Sequence, residues 1–110
     1  MVIDFDKIEL SILEHFKGGE NVTKAHMFVD DNNRMLKGLL EPGSSIGLHK
    51  HEGSSEIIYI TSGKGKVLFQ GEDIPLKAGD VHYCPEGCEH SLINDSNGDL
   101  TFFAVVPNHR

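Results

Sequence analysis

The chain has 110 residues, of which 38% are apolar and 25% are charged, so it is long enough for one hydrophobic core and too short for two. Its formal charge is -7 and its ten basic residues are scattered, which argues against binding to a nucleic-acid backbone. No apolar run approaches the roughly 20 residues of a membrane-spanning helix, and the N-terminus lacks the pattern of a secretory signal. We expect a single cytoplasmic domain without nucleic-acid or membrane partners.

The N-terminal part of the chain predicts a short element followed by a hairpin. The segment 1–16 mixes alternating and helical apolar positions, and favours a turn or helix at residues 4–7 and a strand from Ile8. A glycine-rich loop then leads into a predicted strand at Val22–Val29, which is rich in Val, Thr and Phe. Its predicted hairpin partner, residues 34–40, follows a turn made only of Asp and Asn.

The C-terminal part of the chain reads as a series of short strands. Residues 66–70, 74–76, 81–84, 89–93 and 100–106 are the predicted strands. Gly, Pro, Asn and Asp separate them, and no long helical period is present. Strands about every 8 to 12 residues with such turns predict an all-β antiparallel sandwich or barrel.

The stretch 43–63, GSSIGLHKHEGSSEIIYITSG, carries three groups that can each ligate a metal. His49 and His51 would share one face of a strand, because successive side chains alternate. Turn formers follow them, and Glu56 then opens an apolar strand, so a chain reversal would bring its carboxylate to the imidazoles. A buried carboxylate without a cation is costly, which favours a divalent metal, although exposure of Glu56 at the strand end remains an alternative.

A second segment, 79–94, supplies His90 at the start of another apolar strand. It also holds Cys84 and Cys88, which we expect to be reduced thiols in a cytosolic protein. An alternative zinc set of Cys84, Cys88 and His90 is open at this point, because thiolates bind zinc well, but it lacks a fourth ligand.

Together the two segments resemble the cupin motifs G-x5-H-x-H-x4-E-x6-G and G-x5-P-x-G-x2-H-x3-N. All ten fixed positions are present, namely Gly43, His49, His51, Glu56 and Gly63 in the first motif and Gly79, Pro85, Gly87, His90 and Asn94 in the second. The motifs span about half of the chain.

The resemblance implies that residues 1–110 form one cupin domain, a jelly-roll-like β-barrel or double-stranded β-helix. Its metal would be held by His49, His51, Glu56 and His90. Three imidazoles and one carboxylate suit divalent iron, manganese, nickel, zinc or copper, and leave two adjacent positions of an octahedron open. The motif glycines would occupy turns or close backbone approaches, and Asn94 would be structural rather than a ligand.

Strand parity suggests which other residues line the pocket. If Glu56 and His90 face inward, the apolar residues Ile58, Ile60 and Leu92 form its floor. The polar or aromatic residues expected to contact a substrate are His26, Phe28, Lys37 and Tyr83. Of these, His26 and Tyr83 are the candidate catalytic bases. His82 alternates with Tyr83, so only one of those two can face the pocket.

Three functions fit these features. The first is a metal-dependent isomerase, lyase or dioxygenase acting on a small molecule that chelates the open positions. The second is a non-catalytic cupin that binds a metal or metabolite for storage or sensing, and the third is a barrel with an empty site. The complete ligand set argues against the third. We also expect a homodimer, because small cupins usually dimerise and segment 1–16 is too apolar for a free arm.

Overall fold

The computed structural model describes residues 1–109 as two antiparallel sheets packed across one core. The strands are β1 (Ser11–Glu14), β2 (Val22–Val29), β3 (Asn33–Leu40), β4 (His49–Lys50), β5 (Glu56–Ser62), β6 (Lys64–Phe69), β7 (Glu72–Lys77), β8 (Val81–Cys84), β9 (Glu89–Ile93) and β10 (Leu100–Pro107). One sheet has the order β1-β2-β3-β10-β5-β8 and the other β4-β9-β6-β7. This arrangement confirms the predicted all-β jelly-roll fold, although hydrogen bonds do not join the sheets into a closed barrel.

The core lies between the inner faces of the two sheets. In β5, Ile58 and Ile60 are buried, whereas Ile57 and Tyr59 are more than a third exposed on the outer face. Leu92 of β9 packs into the same cluster from the opposite sheet. This alternation is what a half-buried strand requires, and it confirms that Ile58, Ile60 and Leu92 face inward, although they pack in the core and do not line the cavity.

Three strand boundaries agree with the sequence prediction, namely those of β2, β8 and β9. The strand predicted at 74–76 instead begins at Glu72, because the turn that precedes it has only two residues. Phe69 pairs directly with Glu72, and both Gln70 and Gly71 between them have positive φ, at 49° and 82°. Two consecutive positive φ angles are typical of a tight type I′ hairpin, which leaves Glu72 free to join the ladder.

The N-terminal segment folds back onto its own chain. A 3-10 helix at Phe5–Lys7 confirms the expected short element, while β1 starts at Ser11 rather than at Ile8. Phe5 packs edge-on against Phe103, with ring centroids 5.2 Å apart, on the outer face of the six-stranded sheet. Within residues 1–109, no helix has the length and apolar character required to cross a membrane.

The fixed positions of the two motifs have backbone roles where the sequence predicted them. The motif glycines Gly43, Gly63, Gly79 and Gly87 all have positive φ. Asn94 is fully buried, and its amide donates to the carbonyls of Leu40 and Gly98 at 2.7 and 2.8 Å. It therefore ties the end of β9 to β3 and to the following loop, which is the predicted structural role.

Candidate metal centre

Both sheets contribute to a cluster of three histidines and one glutamate. His49 on β4 lies directly opposite His90 on β9 in the four-stranded sheet. His51 follows β4 immediately, and Glu56 is the first residue of β5 in the six-stranded sheet. The potential ligand atoms of these four residues all lie within 4.8 Å of one another. The structure thus brings together the four residues that the cupin motifs implied as ligands, in a group that could hold a metal.

The imidazoles converge on a single carboxylate oxygen. Glu56 Oε1 lies 2.8 Å from His90 Nε2, 3.0 Å from His51 Nε2 and 3.7 Å from His49 Nε2. Three of the side chains are buried, and His49 is partly open to the cavity above. A metal bound at this point would meet three nitrogens and an oxygen, a donor set suited to a divalent transition ion.

The surroundings of Glu56 favour its ionised form, which is the form that binds a metal. Its burial alone would raise the pKa, but interactions with the imidazoles of His49, His51 and His90 outweigh that effect and hold the pKa well below the ordinary value. Among residues 1–109, no lysine or arginine pairs with this buried carboxylate. Because a buried anion needs a cation, a metal fits the cluster better than an empty polar core does.

Each histidine uses its other ring nitrogen for a second contact. His49 Nδ1 donates to the carbonyl of Gly47 at 2.7 Å, and since a carbonyl can only accept, Nε2 keeps its lone pair for a metal. His51 Nδ1 lies 3.1 Å from Ser54 Oγ. His90 Nδ1 lies 2.9 Å from Nε2 of His82. Such outer contacts orient the rings of metal-binding histidines.

His82 is the inward-facing residue of β8, and Tyr83 is not. In the pairing of β8 with β5, His82 lies opposite buried Ile58, whereas Tyr83 lies opposite exposed Ile57. Tyr83 is 54% exposed on the outer face of the sheet. Burial lowers the pKa of His82 to about 4, and proximity to His90 acts in the same direction, so His82 is neutral at physiological pH. The expectation that Tyr83 lines the pocket is therefore wrong.

The other pocket candidates also lie on the outer face of the six-stranded sheet. His26 lies beside Lys37 in the β2–β3 ladder, and its Nδ1 is 2.6 Å from the carbonyl oxygen of Ile8. Lys37 forms an exposed ion pair with Asp6. Phe28 has the same strand parity as His26. The pocket prediction fails for all three because the buried set of β2 is the other one, which includes Ala25.

The alternative zinc set is not assembled. Both cysteines are free, as predicted, but Cys88 belongs to neither of the potential ligand groups in the described part of the chain. Cys84 instead groups with His82 and His90 on the inner face. Burial and the neighbouring Cys88 and Glu56 raise the pKa of the Cys84 thiol to about 11, so without a metal it stays protonated.

A cavity of about 290 Å³ opens above the four ligands. Leu36 and Ile46 give it apolar walls, and the basic residues Lys17, Arg34 and Lys50 also line it. Its other carboxylates, Asp30 and Glu52, are exposed. The volume suits a small molecule.

Arg34 is one of the cavity residues that sequence reasoning missed. Arg34 lies on the same inward-facing side of β3 as buried Leu36, whereas Lys37 faces outward. Lys50 pairs with Glu52, but within residues 1–109 no carboxylate pairs with Arg34. The alternation of Arg34 with Leu36 and Leu40 was the available signal, because those two leucines mark the buried face.

A loop that forms one cavity wall is fastened beside the ligands. The Gly47 N–H donates to the carbonyl of Phe16 at 2.9 Å, and the Gly47 carbonyl accepts the bond from His49. Side chains at Gly19 or Gly47 would overlap backbone atoms of the opposite segment. Phe16 and Lys17 are thereby held at the cavity.

Known proteins are similar to this chain in sequence and in fold. The family model for the cupin domain matches residues 38–106. A Thermotoga maritima protein named oxalate-binding protein is 40% identical over 112 residues, covering 96% of this chain and 93% of the relative. A crystal structure from Thermotoga maritima, described as a predicted oxalate decarboxylase, has a TM-score of 0.91 at 36% identity and covers 98% of this chain and 99% of that one.

A more distant structure, KdgF from Halomonas sp., has a TM-score of 0.81 at 16% identity, covering 100% of this chain and 94% of that one. At that identity the similarity concerns the fold alone. Because the family model covers more than half of the chain, and the Thermotoga protein matches nearly all of it, the chain belongs to the cupin family.

Proposed function

We propose that this protein binds a small dicarboxylate or oxo acid, of which oxalate is the simplest, through a divalent metal held by His49, His51, Glu56 and His90. The guanidinium of Arg34 in the cavity wall, which pairs with no carboxylate of residues 1–109, is the observation that carries this proposal. A chelating carboxylate would occupy the two open positions of the metal and leave its outer oxygens negatively charged. A guanidinium is well suited to pair with those oxygens, because its planar group carries a positive charge and donates several hydrogen bonds at once.

The relatives support this choice of ligand. The Thermotoga protein that matches nearly the whole chain is named for oxalate binding. The cavity volume of about 290 Å³ also agrees with a ligand of few atoms. An additional basic side chain, Lys17, lies at the same cavity and adds to its attraction for anions.

Binding, in storage or sensing, is favoured over catalysis. An isomerase, lyase or dioxygenase needs a group that moves a proton or excludes water at the substrate. A bound divalent metal would supply Lewis acidity. For the proton-moving group, the cavity offers only two carboxylates besides Glu56 among the described residues, namely Asp30 and Glu52, and both are exposed. The candidate bases His26 and Tyr83 are on the other face of the sheet.

Calorimetric titration of oxalate into the manganese-loaded protein tests the proposal. We expect binding that disappears when the metal is chelated, and that weakens about 10- to 100-fold in Arg34→Gln because one charged hydrogen-bonding partner is lost. Lys24→Gln, on the outer face, is the matched control and should bind as the wild type does. Absence of oxalate binding to the metal-loaded wild type would contradict the proposal, and release of carbon dioxide would show catalysis instead.

We also propose that two copies associate through the outer face of the six-stranded sheet. The cross-strand pairs Ile57–Tyr83 and Tyr59–Val81 expose four large apolar side chains there. Exposed apolar patches of this kind favour protein contacts. Segment 1–16, expected at the interface, adds exposed Leu10 and Ile12 at the other edge of the sheet. Sedimentation should give a dimer for the wild type and a monomer for Val81→Lys; a monomeric wild type would refute the interface.

A further inference from the structure

We propose that His82 is a positioning residue for the metal centre, because it holds His90 in the orientation and tautomer that ligation requires. This inference rests on the proposed metal site. Nε2 of His82 lies 2.9 Å from Nδ1 of His90, and both side chains are buried. Neither cupin motif includes position 82 among its fixed residues, so the motif match does not account for this contact.

The direction of the hydrogen bond follows from the chemistry of the imidazole ring. When Nε2 of His90 binds a metal, its Nδ1 must carry the ring proton and needs an acceptor. Nε2 of His82 is the hydrogen-bond partner of His90 Nδ1 in the described part of the chain. His82 must then be neutral and carry its own proton on Nδ1. The pair therefore specifies one tautomer for each ring.

His82 itself is held in place by packing. Its ring meets Phe69 edge-on, with centroids 5.3 Å apart, and it lies opposite Ile58 in the β5–β8 ladder. The rings of His82 and His90 are tilted by 35° with centroids 5.1 Å apart. A ring fixed in this way can fix its hydrogen-bond partner.

The bond also joins the two sheets at the metal centre. Glu56 and His82 belong to neighbouring strands of the six-stranded sheet, whereas His49 and His90 belong to the four-stranded sheet. A metal shared by Glu56 and His90 requires a fixed separation between those sheets. The hydrogen bond from His90 to His82 sets that separation beside the metal, since it connects the same two sheets.

The same residues admit a competing interpretation. His82, Cys84 and His90 could together hold a second ion. The direct contact of 2.9 Å between the two imidazole nitrogens favours a hydrogen bond between them over a shared ion. One ion per chain is therefore expected, and two ions per chain would overturn the positioning role.

Zinc affinity measured by competition with a chelator tests the proposal with two substitutions. His82→Leu removes the acceptor and should weaken zinc binding about 10- to 100-fold, the usual effect of losing an outer partner of a metal-binding histidine. His82→Gln keeps an acceptor at similar reach and should restore affinity to within a few-fold of the wild type. His26→Gln, a histidine on the outer face, is the control and should not change the affinity.

Nitrogen NMR of the zinc-loaded wild type gives a readout that a merely structural role would not produce. A scalar coupling across the hydrogen bond should connect Nδ1 of His90 with Nε2 of His82. Equal zinc affinity in the wild type and His82→Leu, or equal losses in His82→Leu and His82→Gln with both variants folded by circular dichroism, would overturn the positioning role alone. A wild type that binds no zinc, manganese or iron would overturn the metal site and the proposed function with it.

Discussion

The two faces of the six-stranded sheet differ although the same strands build both. On β8 and β5, the inner residues His82 and Ile58 are buried, and the outer residues Tyr83 and Ile57 are exposed and apolar. Glu56, a candidate metal ligand, belongs to the inner set. Adjacent residues along one strand therefore lie in different environments, one buried beside the ligand cluster and one exposed on the outer face. The face on which a residue lies matters here as much as its type.

The largest expected difference between the faces concerns the metal. Glu56→Gln removes the anionic ligand at almost constant shape, and we expect metal affinity to fall by more than the roughly 100-fold typical of outer contacts. Glu89→Gln changes an exposed carboxylate next to His90 and should leave metal content unchanged. Elemental analysis after dialysis against a chelator measures both. Retained metal in Glu56→Gln would remove Glu56 from the ligand set.

The contrast between the two faces should also appear in the free energy of unfolding when two neighbouring isoleucines of β5 are truncated. Ile58 is 1% exposed and Ile57 is 41% exposed. Ile58→Ala should lower the free energy of unfolding by roughly 2–5 kcal/mol, because a buried side chain is lost and a cavity remains. Ile57→Ala should cost less than about 1 kcal/mol in the monomer. Denaturant unfolding of the metal-free proteins gives both values, and equal losses would contradict the assignment of faces.

The third expected effect is the pH dependence that His82 gives to the metal-free protein. Because its folded pKa of about 4 lies below the ordinary value of 6.5, the unfolded state binds the additional proton first. Stability from this residue is complete above pH 6.5 and is lost as the pH falls towards 4. Glu56, whose folded pKa is also lowered, adds a further loss below its ordinary value of 4.5.

Unfolding of the apo protein between pH 7 and 4.5 therefore separates His82 from Glu56. The wild type should lose stability through that interval, and His82→Leu should lose less. An identical pH slope in the two proteins would show that His82 is not buried in its neutral form.

Sequence reasoning located the four clustered residues but not the rest of the cavity. That cluster was recoverable because its members occur at fixed motif spacings, and the alternation of β5 predicted correctly that Ile58 and Ile60 face inward. Lys37 and Tyr83 were predicted to face the pocket, whereas the structure has Arg34, three positions from Lys37, at the cavity and His82, one position from Tyr83, on the buried inner face.

Those errors have a physical origin. Parity can be read from a strand that has a clear apolar face, but β8 alternates valine and tyrosine with histidine and cysteine, so both of its faces look plausible. Only the pairing of His82 with Ile58 decides between them, and that pairing joins residues distant in sequence. The two-residue turn at Gln70 was missed because glutamine seldom adopts a positive φ.

The backbone of Gly47 connects a loop of the cavity wall to the candidate metal ligand His49. Its N–H is bonded to the loop that carries Phe16 and Lys17, and its carbonyl is bonded to His49. A metal held by His49 and an anion bound against this loop would therefore contact two segments that are joined through one peptide. Linkage then requires reciprocity: whatever factor the metal contributes to anion affinity, the anion returns to metal affinity.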